Sequence, residues 1–147
     1  MRSSHPTTRR GFAIFDDPLT APCSGTVVAA VDGHPDVLEP GATPATLPGN
    51  HVILACEGAW IVLAHLRRGT VCVSEGDVVD TGDRLGRVGN SGSSDEPHLH
   101  IHAQSPGTDT APLGGAPIPI TFDGRYLARN DRVRVVPQLI DGHAAHD

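Results

Sequence analysis

His51-Val-Ile-Leu-Ala-Cys-Glu-Gly-Ala-Trp-Ile-Val-Leu-Ala-His-Leu66 sets two apolar runs on either side of Glu57-Gly58-Ala59, a break with hairpin punctuation. The segment predicts two central antiparallel strands. Upstream, Thr26-Val-Val-Ala-Ala-Val-Asp-Gly33 reads as a β-branched strand closed by an Asp-Gly turn. Downstream, His98-Leu-His-Ile-His-Ala103 alternates strictly, which places three histidines on one face and Leu99, Ile101 and Ala103 on the other. Residues 71–89 have glycines at their corners and predict a chain folded back at Gly76-Asp77 and at Gly82-Asp83. The proline-rich stretch 33–49, the polar stretch 89–97 and residues 104–116 read as loops, with closing strands expected between Ile118 and Val136. The organisation expected is an N-terminal segment over 1–20, one β domain over 21–136 and a polar tail over 137–147.

Composition supports an all-β reading. With 17 glycines and 13 prolines spread through 147 residues, long helices have almost nowhere to form. A hydrophobic content of 38% with only 3% aromatics allows a single core of Val, Leu, Ile and Ala and disfavours stacking on bases or sugars. The net charge is −6 and the 11 basic residues are all arginine and scattered, so no basic stripe exists to follow nucleic acid. The absence of lysine removes Schiff-base chemistry and lipoyl or biotinyl attachment. Cys23, Cys56 and Cys72 lack a C-x-x-C spacing and read as buried reduced thiols. No apolar run reaches the roughly 18 residues of a membrane span, and the first residues lack the apolar region of a signal peptide. Taken literally, that start describes a soluble, unexported chain.

Histidine carries the chemistry. Alternation sets His98, His100 and His102 on one face with Cα atoms roughly 6–7 Å apart, so two neighbours can serve one site. A neutral imidazole on such a strand can hold a zinc ion while the next ring touches a bound water. The competing reading is a polar sheet edge. His65 ends an otherwise apolar strand, where a polar ring needs a partner, and is a satisfied core residue unless its strand neighbours the His98 strand. His51 reads as structural, and His34, His143 and His146 as surface residues.

Gly86-Arg-Val-Gly-Asn-Ser-Gly-Ser-Ser-Asp-Glu-Pro-His-Leu-His100 is preceded by Ala21-Pro-Cys-Ser-Gly-Thr-Val-Val-Ala29, Ala64-His-Leu66 and Val73-Ser-Glu-Gly-Asp-Val-Val-Asp-Thr-Gly-Asp83. In this order the four motifs resemble the lysostaphin/LytM-type zinc endopeptidases over about Ala21 to Ala103. The resemblance implies a compact antiparallel β-sandwich with a groove over its central sheet, a Zn2+ cofactor, and peptidoglycan cross-links or stem peptides as substrate. It implies His100 as a metal ligand and His98 and His65 as catalytic residues beside the zinc-bound water. The family's remaining His and Asp ligands usually lie in an H-x-x-x-D motif before the A-P-x-x-G strand, and this chain has Arg9 and Ala13 there. Phe12-Ala-Ile-Phe-Asp16 resembles a variant of that motif with one extra residue, and His5 is the sole histidine upstream. His5, Asp16 and His100 are therefore the expected zinc set, with Asp17 as the alternative carboxylate. If the patch from Phe12 continues as a strand, the extra residue requires a bulge near Ile14-Phe15 for Asp16 to face the histidines. The rival to an enzyme is a degenerate member that binds or regulates wall hydrolases. The family acts on the cell envelope or outside it, whereas this start shows no export signal.

Overall fold

The computed structural model describes residues 14–37 and 46–133. Among them there are eight strands and no helix: β1 (Pro18–Thr20), β2 (Gly25–Val31), β3 (Asn50–Cys56), β4 (Ala59–Leu66), β5 (Val78–Val79), β6 (Arg84–Arg87), β7 (His100–Gln104) and β8 (Pro117–Ile118). Six form one antiparallel sheet in the order β5-β2-β3-β4-β7-β8, and β1 pairs with β6 in a separate ribbon. The central hairpin turns on Glu57 and Gly58, both with positive φ, which matches the right-handed twist of the strands it joins.

The sheet separates two apolar clusters. On one face Val27, Val52, Leu54, Leu63 and Leu66 pack with Leu19 and Leu85 of the ribbon, forming the main core. On the other, Ile53, Val62 and Ala64 form a smaller cluster edged by Trp60, Val28 and Ala29. The twin returns expected from Gly-Asp occur as two equivalent turns, Ser74–Asp77 and Asp80–Asp83. In each, the last residue's N–H donates to the first carbonyl at 3.0 Å, and its carboxylate accepts the first N–H at 2.8 Å.

Four expectations change. Cys23 and Cys56 form a disulfide instead of lying reduced: the β2–β3 ladder pairs Thr26 with Ala55 and so carries the two sulfurs together across 33 residues. Cys72 is free but exposed, not buried. After Ile118 the described chain makes only an isolated Phe122–Arg125 bridge, because Pro119 has no N–H to extend the ladder and Asp123-Gly124, both with positive φ, turn the chain back. Residues 14–16 form a turn, closed by Asp17 N–H to the Ile14 carbonyl, with Asp16 itself left-handed; no bulged strand runs through Ile14-Phe15.

Backbone contact between two loops closes the histidine end of the molecule. Gly49 and Gly92 both have positive φ, and their main chains lie against each other. A Cβ on Gly92 would overlap Gly49 and come within 2.6 Å of the Leu47 carbonyl oxygen. Gly58 has an equally left-handed backbone but open space around it. Gly92→Ala should therefore destabilise the protein by about 3 kcal/mol or more, combining strain with overlap, and Gly58→Ala by about 1–2 kcal/mol from strain alone. Chemical denaturation of the two variants checks the difference; equal losses would show that the loops yield.

Candidate active site

His65 owes its position to a bulge. Ile61 and Leu63 pack toward the main core, and simple alternation would send His65 there too. The β3–β4 register shifts between Asn50, paired with Leu66, and Val52, paired with Leu63, so His51 alone opposes Ala64 and His65. His65 has φ 63°, and the ring turns to the face that carries Val62, Ala64, His100 and His102. Three bonds hold it: its N–H donates to the Pro48 carbonyl at 3.0 Å, its carbonyl accepts from Gly89 N–H at 3.1 Å, and Nδ1 lies 2.7 Å from the Ser91 carbonyl oxygen. That carbonyl accepts only, so Nδ1 carries the proton and Nε2 is bare in the neutral ring.

The Gly89-Asn-Ser-Gly92 loop is built to hold this contact. Ser91 Oγ donates to the Leu66 carbonyl at 2.6 Å and accepts from Asn50 N–H at 3.0 Å. Asn50, fully buried, donates through Nδ2 to the carbonyls of His34 and Leu66. Asn90 donates from Nδ2 to the Val37 carbonyl at 2.9 Å, which turns its Oδ1 toward Ser94 Oγ at 2.7 Å. His98 Nδ1 then lies 2.9 Å from the Glu96 carbonyl and 3.0 Å from Ser94 Oγ, so this ring too is protonated on Nδ1.

Three rings converge. The His65 centroid is 4.7 Å from that of His98 and 5.8 Å from that of His100. β4 and β7 are neighbours, with Ala64 opposite His100 and Val62 opposite His102, so small or slim side chains leave room for the imidazoles. Burial lowers the pKa of His65 and of His100 below the ordinary 6.5, and neighbouring imidazoles lower both further. Their neutral forms are favoured. His65, His100 and His102 border a groove of about 270 Å³ walled by Leu47, Pro48, Ser93 and Leu113 over a floor of Val62 and Ala64.

The segment 87–89 links the expected carboxylates to the chain around His65 by backbone bonds. On one side Gly89 N–H donates to the His65 carbonyl and the Arg87 carbonyl accepts from Arg67 N–H, and on the other Val88 exchanges backbone bonds with Asp16 and Asp17. Asp16 Oδ1 accepts from Arg67 at 2.6 Å, and Arg87 donates to the Asp16 carbonyl at 2.9 Å. Among the described residues no three His, Cys, Asp or Glu side chains form a group able to hold a metal ion. His5 lies outside the described residues. His51 is buried, with Nδ1 2.9 Å from the Gly49 carbonyl.

Two site features were not read from the sequence: the Asn50–Ser91–Asn90–Ser94 network and the continuation of the histidine row into Gln104. His100 Nε2 lies 2.7 Å from His102 Nδ1, and His102 Nε2 lies 3.1 Å from Gln104 Oε1. Alternation alone, extended one more step along His98-x-His-x-His-x-Gln104, would have found the second feature.

Solved structures share this fold. A mutant catalytic domain of the prophage-encoded M23 protein EnpA from Enterococcus faecalis matches with 24% identity over 70% of this chain and 67% of its own, at a TM-score of 0.54. Lysostaphin from Staphylococcus simulans matches with 23% identity over 71% of this chain, at a TM-score of 0.52, but the match spans 39% of lysostaphin's length. Its catalytic domain alone gives 22% identity, 71% and 70% coverage and a TM-score of 0.50. No curated protein matches the chain. The model of peptidase family M23 matches residues 11–124, most of the sequence and all the elements that build the site. The chain belongs to peptidase family M23.

Proposed function

We propose that the protein is a zinc-dependent endopeptidase that hydrolyses peptide bonds of bacterial peptidoglycan cross-links or stem peptides, with His5, Asp16 and His100 as metal donors and His65 and His98 as the proton-handling pair. The observation that carries this reading is the convergence of three imidazoles, two of them with Nδ1 committed to main-chain carbonyls. The donor chemistry fits a zinc ion at His100, where partial desolvation and the neighbouring His102 and His98 rings favour the neutral form that a metal requires. When bound, zinc would supply an acidified water, with a pKa of about 7, and polarise the scissile carbonyl.

The chain's own residues supply the rest. With Nδ1 protonated and fixed, His65 and His98 each offer a bare Nε2, so one ring can take the proton of the attacking water. Once protonated, that ring becomes a donor to the developing oxyanion and to the leaving amine nitrogen. The Ser91 carbonyl, as acceptor at His65 Nδ1, favours the protonated form of that ring at that moment. The groove floor of Val62 and Ala64 excludes water from one side of a bound peptide. The Cys23–Cys56 disulfide is the redox state expected of a protein working outside a reducing cytosol, where peptidoglycan lies.

A second reading, a degenerate member acting as a binding module for wall hydrolases, draws on the Asp16–Arg67 ion pair, in which a guanidinium engages the proposed ligand. Metal content separates the two. Reconstituted protein should hold one zinc per chain; well under one equivalent favours the module.

His65→Ala and His98→Ala should keep the metal and lower kcat by about 10²–10⁴-fold on a peptidoglycan peptide, whereas His100→Ala should lose metal and activity together. Equal metal loss in all three would overturn the division of roles. The acid limb of kcat/KM should lie below pH 6.5: a base must be neutral, and burial lowers the pKa of His65, so the active form persists as pH falls past the ordinary imidazole value. A limb above 6.5 would exclude His65 as the base.

A further inference from the structure

The third imidazole of the cluster has the opposite hydrogen-bond polarity from the other two, and a chain of side chains on β7 sets it. Gln104 is almost fully buried, and its Nε2 lies 2.9 Å from the Pro112 carbonyl oxygen. A carbonyl can only accept, so the amide nitrogen belongs on that side and Oε1 faces His102. Oε1 in turn can only accept, so His102 carries a proton on Nε2 across the 3.1 Å contact. In the neutral ring His102 Nδ1 is then a lone pair, and at 2.7 Å it requires the proton between the two rings to belong to His100 Nε2. His100 is left with a bare Nδ1. A fixed main-chain oxygen on Pro112 thereby dictates the protonation of a ring at the site, through two intervening side chains.

We propose that His102 and Gln104 are positioning residues that hold His100 in the tautomer with its proton on Nε2 and its lone pair on Nδ1. This rests on the reading of His100 as a metal donor, for which one ring nitrogen must be bare and the ring's orientation fixed through the other. The strand makes the row possible: His100, His102 and Gln104 are alternate residues of β7 and share its outer face, with Ile101 and Ala103 turned inward. Gly115 belongs to the same arrangement, since a Cβ there would meet Gln104 Nε2 at 2.8 Å.

The test is long-range proton–nitrogen NMR of the ¹⁵N-labelled full chain, metal-free and above the ordinary imidazole titration range, followed by titration with Zn2+ alone. In the parent protein His100 and His102 should each show a protonated Nε2 and a bare Nδ1. In His102→Val the two His100 nitrogen resonances should move toward each other as the tautomers exchange, and zinc affinity should fall by about 10–100-fold. His102→Asn, whose Oδ1 can stand where Nδ1 stood, should restore both. Gln104→Leu should free the tautomer of His102 and, through it, that of His100; if this variant does not fold, the His102 pair decides. A proton on Nδ1 of His100 in the parent, or an unchanged His100 spectrum in His102→Val, overturns the proposal. A fixed tautomer in a parent chain that binds no zinc counts against the peptidase reading and leaves the relay standing.

Discussion

The bond between His65 Nδ1 and the Ser91 carbonyl oxygen exists only because two stretches of main chain touch at Gly49 and Gly92. Peptide groups can approach this closely only where neither residue carries a side chain, and both glycines also adopt φ values that other residues resist. Once the loops meet, Ser91 Oγ joins Asn50 N–H to the Leu66 carbonyl, and the buried polar groups around the bulge are satisfied. The left-handed backbone of His65 is thereby held by its surroundings, as a strained residue must be. Loss of the loop contact would release the bulge, the ring orientation and the polar network together.

The sheet contributes a different kind of constraint. Its inner face carries the main core, so β4 and β7 are fixed in register by Ile61, Leu63 and Ile101 packing inward. The outer face can then present rings at set spacings with little conformational freedom. Two imidazoles point bare Nε2 atoms from loop-held Nδ1 donors, while the third is tied through Nε2 to a row of side chains. This opposition of polarity underlies the division of roles proposed for the three rings.

The sheet was legible wherever the signal was local. β-branched runs and alternation located β2, β3, β4 and β7, and the Gly-Asp pairs located both returns. Of the three converging histidines, all named by the motif resemblance, only His100 sits on the alternating strand as expected; β7 begins there, and His98 is held by the loop before it. What stayed hidden depends on residues distant in sequence. The facing of His65 comes from a shift in pairing with β3, the Cys23–Cys56 bond from a ladder that brings distant sulfurs together, and the fixed amide of Gln104 from the Pro112 carbonyl. The stretch after Ile118 misled because Pro119 ends the pairing of β8 even though Ile120 and Phe122 still border Ile61 and Ile101.

Val62 and Ala64 are at once the floor of the groove and part of the small outer cluster with Ile53. Enlarging either would crowd His102 or His100 across the β4–β7 ladder, and shrinking Val62 would open a void under Trp60. Drift in substrate preference among descendants of this sequence is therefore channelled away from the floor. It falls to the rim, where Leu47, Ser93 and Leu113 are exposed, sit on connections between strands and can change size or polarity at little cost to folding. The division leaves one groove with a constrained base and a tolerant margin.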